Sequence, residues 1–319
     1  MATNDDKLLS WFKATLNKSF KCDDLGPLRH YLGMEIAQHP TTGAIHISQR
    51  KCILDVLARF GLADANTCDT PMDSQASFSK KDSPVTDSDR RKMARFPYRQ
   101  LVGSLLYASM STRPDTSHAV SRLSRHLTNP GLPHWKAAKR VLRYLKGTAN
   151  LGITYSRQPK PSLHGFSDSA HADCLDTRRS TCGFVFKHAG GPVSWLSRRQ
   201  PVVSVSTAEA ECYAAFYAAQ EALWLHRLLS EFNAGPLPLP TFIGEDNQAT
   251  ITLSKDPALH NRSKHVDTKC HWLRDTVLAG RVRLHYVPTS LMTADILTKP
   301  LKRINFESLR TRLLGSFGT

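Results

Sequence analysis

The sequence has too few acids to balance its bases. Against 43 Lys and Arg stand 27 Asp and Glu, leaving a formal net charge of +16 and a pI near 9.7. A surplus of that size draws polyanions, and nucleic acid is the first candidate partner. Cysteine is sparse too: Cys22, Cys52, Cys68, Cys174, Cys182, Cys212 and Cys270 are odd in number and widely spaced, with no C-x-x-C pair. That pattern argues against a disulfide framework and a cysteine zinc site, and the seven are expected to be reduced, mostly packed thiols. No apolar run approaches the roughly 20 residues of a membrane span, and the start, MATNDDKLLSWFKATL, lacks the layout of a secretory signal. An intracellular protein, cytoplasmic or nuclear, with no membrane partner is expected. Neither a phosphate-cradling glycine loop nor a Ser/His/Asp order stands out. What remains is a globular composition, 40% hydrophobic and 22% charged over 319 residues, enough for about two domains.

Periodicity orders the first half. Leu8, Trp11, Phe12, Leu16 and Phe20 recur at helical spacing, KCDDLGPL breaks that helix, and MEIAQHPTTGAIHISQ alternates around a turn as a hairpin should. A second helix, RKCILDVLARFG, follows. Residues 64 to 92 are polar and aperiodic, which predicts an extended linker. Residues 97 to 149 read as further helices. In HWKAAKRVLRYLKG, Lys136, Lys139, Arg140 and Arg143 share one face and Trp135, Ala138, Val141, Leu142 and Leu145 the other. A cationic face of this kind is either a solvated stripe or a track for nucleic-acid phosphates.

Beyond SRQPKPS the texture becomes strand-like: SLHGFSDS, TCGFVFKH, and the pair GPVSWLS and QPVVSVS. A long helix runs to about Glu231, then come the strand TFIGED, two helices, the strand RVRLHYVP and a helical patch at LMTADILTK. This is an α/β order, with the later strands expected parallel through helical crossovers.

Four acids lie where strands end or helices begin: Asp168 in GFSDS, Glu211 in the long helix, Asp246 in IGEDNQ and Asp295 in TADILTK. Acids at strand ends of such a sheet gather over the edge where ligands bind. Hard cations such as Mg²⁺ take oxygen ligands, and two of them held by shared carboxylates about 3.5 to 4 Å apart activate a water against a phosphodiester. An isolated acid in such a place is more often a cap or a solvated charge, so the argument rests on the set. Glu209 and Glu211, on a helix of about 3.6 residues per turn, point roughly 200° apart, so one alone faces the sheet. Glu211 shares its side with Ala215, Ala218 and Ala222, small residues that admit close approach; Glu209 is expected at the helix start, interacting with free N–H groups. A zinc set of His260, His265, Cys270 and His271 is a weaker reading, without a ribbon or ββα context.

GFSDSAHADCLDTRRSTCGFVF, SWLSRRQPVVSVSTAEAE, EDNQATI, NRSKHVDTKCHWLR and YVPTSLMTADILTKPL resemble, in order and spacing, the ribonuclease H domain of copia-type LTR-retrotransposon Pol polyproteins. LGPLRHYLGMEI, YRQLVGSLLYASMSTRPDTSHAVSRLSRH and HWKAAKRVLRYLKGT resemble the stretch joining the reverse-transcriptase palm to it. The resemblance implies an α/β fold: a ribonuclease H-like five-stranded mixed sheet flanked by helices, preceded by a mainly helical thumb or connection region. It implies a palm and thumb remnant at 1–80, a connection at 81–155, the nuclease domain at 156–300 and a tail helix at 301–319. By the same match Asp168, Glu211, Asp246 and Asp295 are the catalytic metal-binding acids, for two Mg²⁺ ions or Mn²⁺. The expected substrate is an RNA/DNA hybrid, gripped through its nucleic acid backbone, with other Pol domains as partners. Two features depart from the family: Ala170 and His171 stand where an Asp and a Trp are usual, and Pro288, Thr289 and Ser290 fill the loop where cellular ribonucleases H carry a histidine. No aromatic-x-Asp-Asp polymerase motif occurs, so the chain is expected to begin after the polymerase site. The alternatives are an inactive nucleic-acid-binding remnant of a retrotransposon and a related DNA nuclease or strand transferase.

Overall fold

A computed structural model describes residues 5–157, 162–232, 237–255 and 268–315. The chain opens with α1 (Asp6–Ser19), β1 (His30–Tyr31), β2 (Met34–Gln38), β3 (Ile45–Ser48) and α2 (Arg50–Arg59). Then come α3 (Asp87–Ala94), α4 (Tyr98–Ser111), α5 (Ser117–Ser124) and α6 (Leu132–Gly147). β4 (Gly152–Tyr155) pairs antiparallel with β3, completing a small sheet in the order β1-β2-β3-β4. The apolar faces of α2, α4, α5 and α6 enclose one core, in which Leu101, Leu105, Leu123, Ala138 and Leu142 are fully buried.

Residues 64–92 are not an extended linker. Met72 sits in that core with Met93, and Thr70 is buried beside it. The segment carries its own punctuation: Ser79 and Asp82 cap each other's backbone, and Thr86 caps α3 by accepting from the Asp89 amide. Anchors spaced too irregularly to show a period hold it down.

The second half forms a five-stranded sheet from β5 (His164–Ala170), β6 (Thr181–His188), β7 (Gly191–Arg199), β8 (Thr241–Glu245) and β9 (Val282–Tyr286). Their order is β7-β6-β5-β8-β9. β7, β6 and β5 run antiparallel, whereas β8 and β9 run parallel to β5, each reached through helices. It is the ribonuclease H-like mixed sheet that the sequence implied. QPVVSVS is not a strand, however: Pro201 lacks an N–H to pair, Val203 and Val205 are exposed, and the stretch is the loop leading into α7 (Thr207–Glu231). α7, α8 (Gln248–Leu253) and α9 (Thr268–Leu278) cover one face of the sheet. The other face receives the short turn Thr293–Leu297 and α10 (Arg303–Leu314), whose Phe306, Leu309 and Leu313 pack with Val185 and with Tyr144 of α6. Tyr144 also donates to Asp115, which takes a bidentate pair from the fully buried Arg113. The helical region is thereby joined to the sheet through a shared core. Among the described residues no helix is long and apolar enough to cross a membrane.

Two cysteines depart from the expectation of free thiols. Cys212 of α7 and Cys270 of α9 are joined as a disulfide, with their Cα atoms 5.9 Å apart, while Cys22, Cys52, Cys68, Cys174 and Cys182 are free. Packing of α7 against α9 brings together residues 58 apart in sequence, a pairing that spacing alone cannot reveal. It also withdraws Cys270 from any zinc set; His260 and His265 lie outside the described residues, as does Lys264-His265-Val266-Asp267.

Candidate active site

β5 carries one carboxylate, Asp168, 1% exposed and flanked by the buried Ser167 and Ser169. β8 ends in Glu245 with Asp246 directly after it, α7 brings Glu211 over the sheet, and the turn after β9 brings Asp295. Oxygen atoms of Asp168, Asp246 and Asp295 lie within 4.8 Å of one another, and so do those of Glu211, Glu245 and Asp246. All four acids singled out from sequence therefore converge, and Asp246 belongs to both triads. α7 can lie this close because its sheet-facing side is Ala215, Ala218 and Ala222, each fully buried. Glu209 points elsewhere: it accepts from the Val205 amide while its own amide donates to Ser206, closing the helix N-terminus.

The electrostatics are those of crowded buried anions. Burial raises the Glu211 carboxyl well above its ordinary value, and Asp168, Glu245 and Asp246 add repulsion. Its Oε2 is buried and has no hydrogen-bond partner. Burial pushes Glu245 up to about 8, against hydrogen bonds donated by the Asn247 amide (3.1 Å) and Ser167 Oγ (3.0 Å). Asp295 is pushed up to about 7 by burial and by Asp168, with Lys299 opposing. Lys299 Nζ stands 2.9 Å from Asp295 and 3.5 Å from Asp168, and Thr298 donates to Asp168 from the same turn. Thr289, in the loop where cellular ribonucleases H carry a histidine, donates to Asp246 at 2.8 Å.

Glu245, Thr298 and Lys299 escaped the sequence reading. Glu245 had a signal, since Thr241, Ile243 and Glu245 alternate along β8 and all three are buried. Lys299 falls four residues after Asp295, a spacing that gains meaning only once the turn is known. At the two departures, Ala170 continues β5, and the His171 ring is tied to the Ser204 carbonyl at 3.1 Å.

The carboxylate set fits a hard divalent cation. Its donors are all oxygen, they form two overlapping triads, and one buried oxygen, Glu211 Oε2, lacks any partner. Gly183 sets the spacing. It faces Asp168 across the β5–β6 ladder, and a Cβ there would lie 2.8 Å from both Leu297 Cβ and Thr298 Cγ2. Gly183→Ala is therefore expected to cost about 1 to 3 kcal/mol of stability by overpacking. By lifting the turn that carries Asp295 and Thr298 it should also lower any activity of the site tenfold or more in protein that stays folded, since a shift near 1 Å can cost about a hundredfold. Denaturation curves with cleavage rates measured well below the melting point separate the two effects, and full activity in the folded variant would refute the spacing role.

The cationic face of α6 is partly engaged. Arg140 donates to Thr70 Oγ1 at 3.0 Å, Arg143 to the Asn66 carbonyl and Lys146 to the Ala65 carbonyl. Lys139 sits over the Trp135 ring, and Lys136 is exposed. Two of the four residues thus hold down the segment that had read as a linker.

Comparison with known proteins places this sequence. The Retrovirus-related Pol polyprotein from transposon TNT 1-94 of Nicotiana tabacum is 39% identical over 303 residues, covering 95% of this chain and 23% of that protein. The corresponding polyprotein from transposon RE1 of Arabidopsis thaliana is 36% identical, covering 97% and 20%. The putative transposon Ty5-1 protein of Saccharomyces cerevisiae is 31% identical, covering 69% of this chain and 70% of that protein. The chain belongs to the copia-type retrotransposon Pol polyproteins. Residues 1–74 of this Pol chain match the reverse transcriptase (RNA-dependent DNA polymerase) family. The chain spans about a fifth of the length of the two plant polyproteins. Among solved structures, LC11-RNase H1 in complex with RNA/DNA hybrid matches 43% of this chain and 94% of that one at 13% identity, with a TM-score of 0.31. A score so low carries no weight of its own.

Proposed function

We propose that this Pol chain carries a ribonuclease H-type endonuclease that hydrolyses the RNA strand of RNA/DNA hybrids with two Mg²⁺ ions, or Mn²⁺, held by Asp168, Glu211, Asp246 and Asp295. The observation that supports this most directly is the pair of carboxylate triads sharing Asp246, with Glu211 Oε2 buried and unpartnered between like charges. Most buried polar groups have a partner, and for a carboxylate oxygen among other carboxylates a divalent cation is the compensation its chemistry suits. When bound, Mg²⁺ would supply Lewis acidity and a water acidic enough to attack phosphorus.

The chain's own residues do the rest. α7 and the Thr293–Leu297 turn bring buried Glu211 and Asp295 up to Asp168 of the sheet. Thr298, Thr289 and Ser167 orient Asp168, Asp246 and Glu245 by donating to them. Lys299 balances part of the negative charge between Asp168 and Asp295. Selection of RNA would come from the 2′-OH and the A-like shape of the hybrid rather than from base contacts. In this reading residues 1–80 close the reverse-transcriptase part, 81–155 connect it, 156–300 form the nuclease and 301–319 the tail, all acting inside the cell with other Pol domains.

The rival reading, an inactive nucleic-acid-binding remnant, draws on Ala170 and His171. One assay separates them. With an end-labelled RNA/DNA hybrid and Mg²⁺ or Mn²⁺, the full chain should shorten the RNA, spare the DNA and stop when EDTA is added. Intact RNA with both metals, from protein shown to be folded, would leave only the remnant.

A further inference from the structure

The sheet has an open corner on the face that carries Asp168. Phe306, Leu309 and Leu313 of α10 pack on that face at Val185, and Val287, Met292 and Ala294 pack on it at Phe166. Past Phe166, toward the start of β5, Phe242 of the interior strand β8 stands 44% exposed. A single exposed apolar residue is ordinary, but this one has a built setting. Lys187 of β6 faces His164 of β5, His164 faces Phe242, and Phe242 faces Arg283 of β9. Directly paired residues project from the same side of a sheet, so the four form one row across three strand spacings, about 14 Å. His285, two residues along β9 from Arg283, meets the Phe242 ring edge to face, with 5.9 Å between centroids and 80° between planes.

The charge around that ring has one sign. The only acids in β5, β6, β8 and β9 are Asp168 and Glu245, both toward the other end of their strands. Burial holds His164, His285 and Lys187 below their ordinary values, and the charged groups that act on them are all basic: Lys187, His285 and His188 on His164, Arg283 on His285, Arg312 on Lys187. Lys187 donates to the Arg312 carbonyl and closes the row on the α10 side, while Arg283 is exposed at its other end.

An open aromatic ring between basic side chains suits an unpaired nucleic-acid strand. Every base has a π-face to lay on such a ring, and the phosphates beside it take the cations. A duplex keeps its bases stacked inside and offers this surface its backbone alone, leaving Phe242 without a partner.

We propose that His164, Phe242, Arg283 and His285 form a platform for single-stranded DNA, with a base stacked on Phe242 and the neighbouring phosphates held by Arg283 and the basic groups of β5 and β6. The choice of DNA rests on the nuclease reading, because hydrolysis of the RNA in a hybrid leaves the DNA strand unpaired. The platform is placed to receive it. His164 lies four residues before Asp168 on the same face of β5, about 13 Å along the strand from the carboxylates.

The test uses the full chain in EDTA and a fluorescent oligothymidylate carrying one iododeoxyuridine. Irradiation should cross-link it to Phe242 or His285, as read by mass spectrometry of the digested chain. In anisotropy titrations across a salt series, Phe242→Ala should weaken binding about tenfold with the salt slope kept, and Phe242→Trp should restore it. Arg283→Gln should instead flatten the slope of log affinity against log salt by about 0.7. Both side chains are exposed, and circular dichroism checks that the variants stay folded. Cross-links confined to other parts of the chain, or an affinity that Phe242→Ala does not move, overturn the platform. Oligouridylate bound more tightly than oligothymidylate overturns the assignment to DNA, and a dimer in sedimentation that Phe242→Ala dissolves puts a second copy on this face instead. Phe242-dependent binding by a chain that leaves hybrid uncut with Mg²⁺ upholds the platform and sinks the nuclease reading, and cleavage without such binding does the reverse.

Discussion

Glu211→Gln is expected to leave the chain folded, to raise its melting temperature in EDTA by a few degrees, and to lower Mg²⁺-dependent cleavage of hybrid RNA by about a hundredfold or more. The three results have one cause. Glu211 is 3% exposed, lies among Asp168, Glu245 and Asp246, and has an oxygen with no hydrogen-bond partner. A neutral amide of the same shape removes the repulsion, so the metal-free fold gains. The same change removes an anionic ligand. Loss of a group that merely orients a metal ligand already costs about 10- to 100-fold, and loss of the ligand should cost more. Glu209→Gln is the matched control: its carboxylate serves the Val205 amide at the helix start, so a small loss of stability and near-normal cleavage are expected. If Glu209→Gln proved inactive and Glu211→Gln normal, the face of α7 turned to the chemistry would be the other one. If Glu211→Gln lost stability in EDTA, the buried carboxylate would be a structural acceptor rather than a ligand awaiting a cation.

The two outcomes depend on a distinction that helical geometry alone supplied. Asp168, Asp246 and Asp295 stand at strand ends or on the turn that follows one, and Glu211 lies on the alanine side of its helix, so each could be placed from local pattern. Glu245 was within reach of the same reasoning through the alternation of Thr241, Ile243 and Glu245, but an acid next to another acid reads as a solvated pair. Thr298 and Lys299 lay beyond it, because a turn of the Thr293–Leu297 kind has no period and their contacts with Asp168 span 130 and 131 residues. The α6 face shows the converse failure. A helical wheel correctly separated Trp135, Ala138 and Leu142 from Lys136, Lys139, Arg140 and Arg143, yet it could not show that residues 65–70 dock on Arg140, Arg143 and Lys146. Polarity in 64–92 hid anchors that act singly, Met72 and the capping pairs, and a disulfide between helices left no trace in cysteine spacing.

In EDTA, stability should fall as pH rises from about 4 to about 8, the reverse of the trend for a protein whose carboxylates are paired. Burial pushes Glu245 from an ordinary 4.5 up to about 8 and Asp295 from 3.8 up to about 7, and it raises Glu211 in the same direction. Between the unfolded and folded values the native state therefore binds more protons than the unfolded chain. The derivative of unfolding free energy with pH is then negative, about 1.4 kcal/mol per pH unit for each proton so held. Below the ordinary carboxylate range Glu245 and Asp295 are neutral in both states and their contribution is complete; above about 8 both are charged in both states and it is gone. Mg²⁺ should reverse the trend, because ions that bind only the ionised, folded cluster stabilise it by mass action and more strongly as protons leave. Denaturant unfolding at pH 5 and pH 8, each with EDTA and with excess Mg²⁺, reads all four corners. The expected pattern is a large gain from metal at pH 8 and a small one at pH 5. In Glu211→Gln, with one of the three raised acids removed, the EDTA slope should be shallower. Equal metal gains at both pH values, or a stability in EDTA that climbs across the window, would mean that these carboxylates are compensated within the chain itself, with Lys299 and the hydroxyls of Ser167, Thr289 and Thr298 sufficient for them and no cation required.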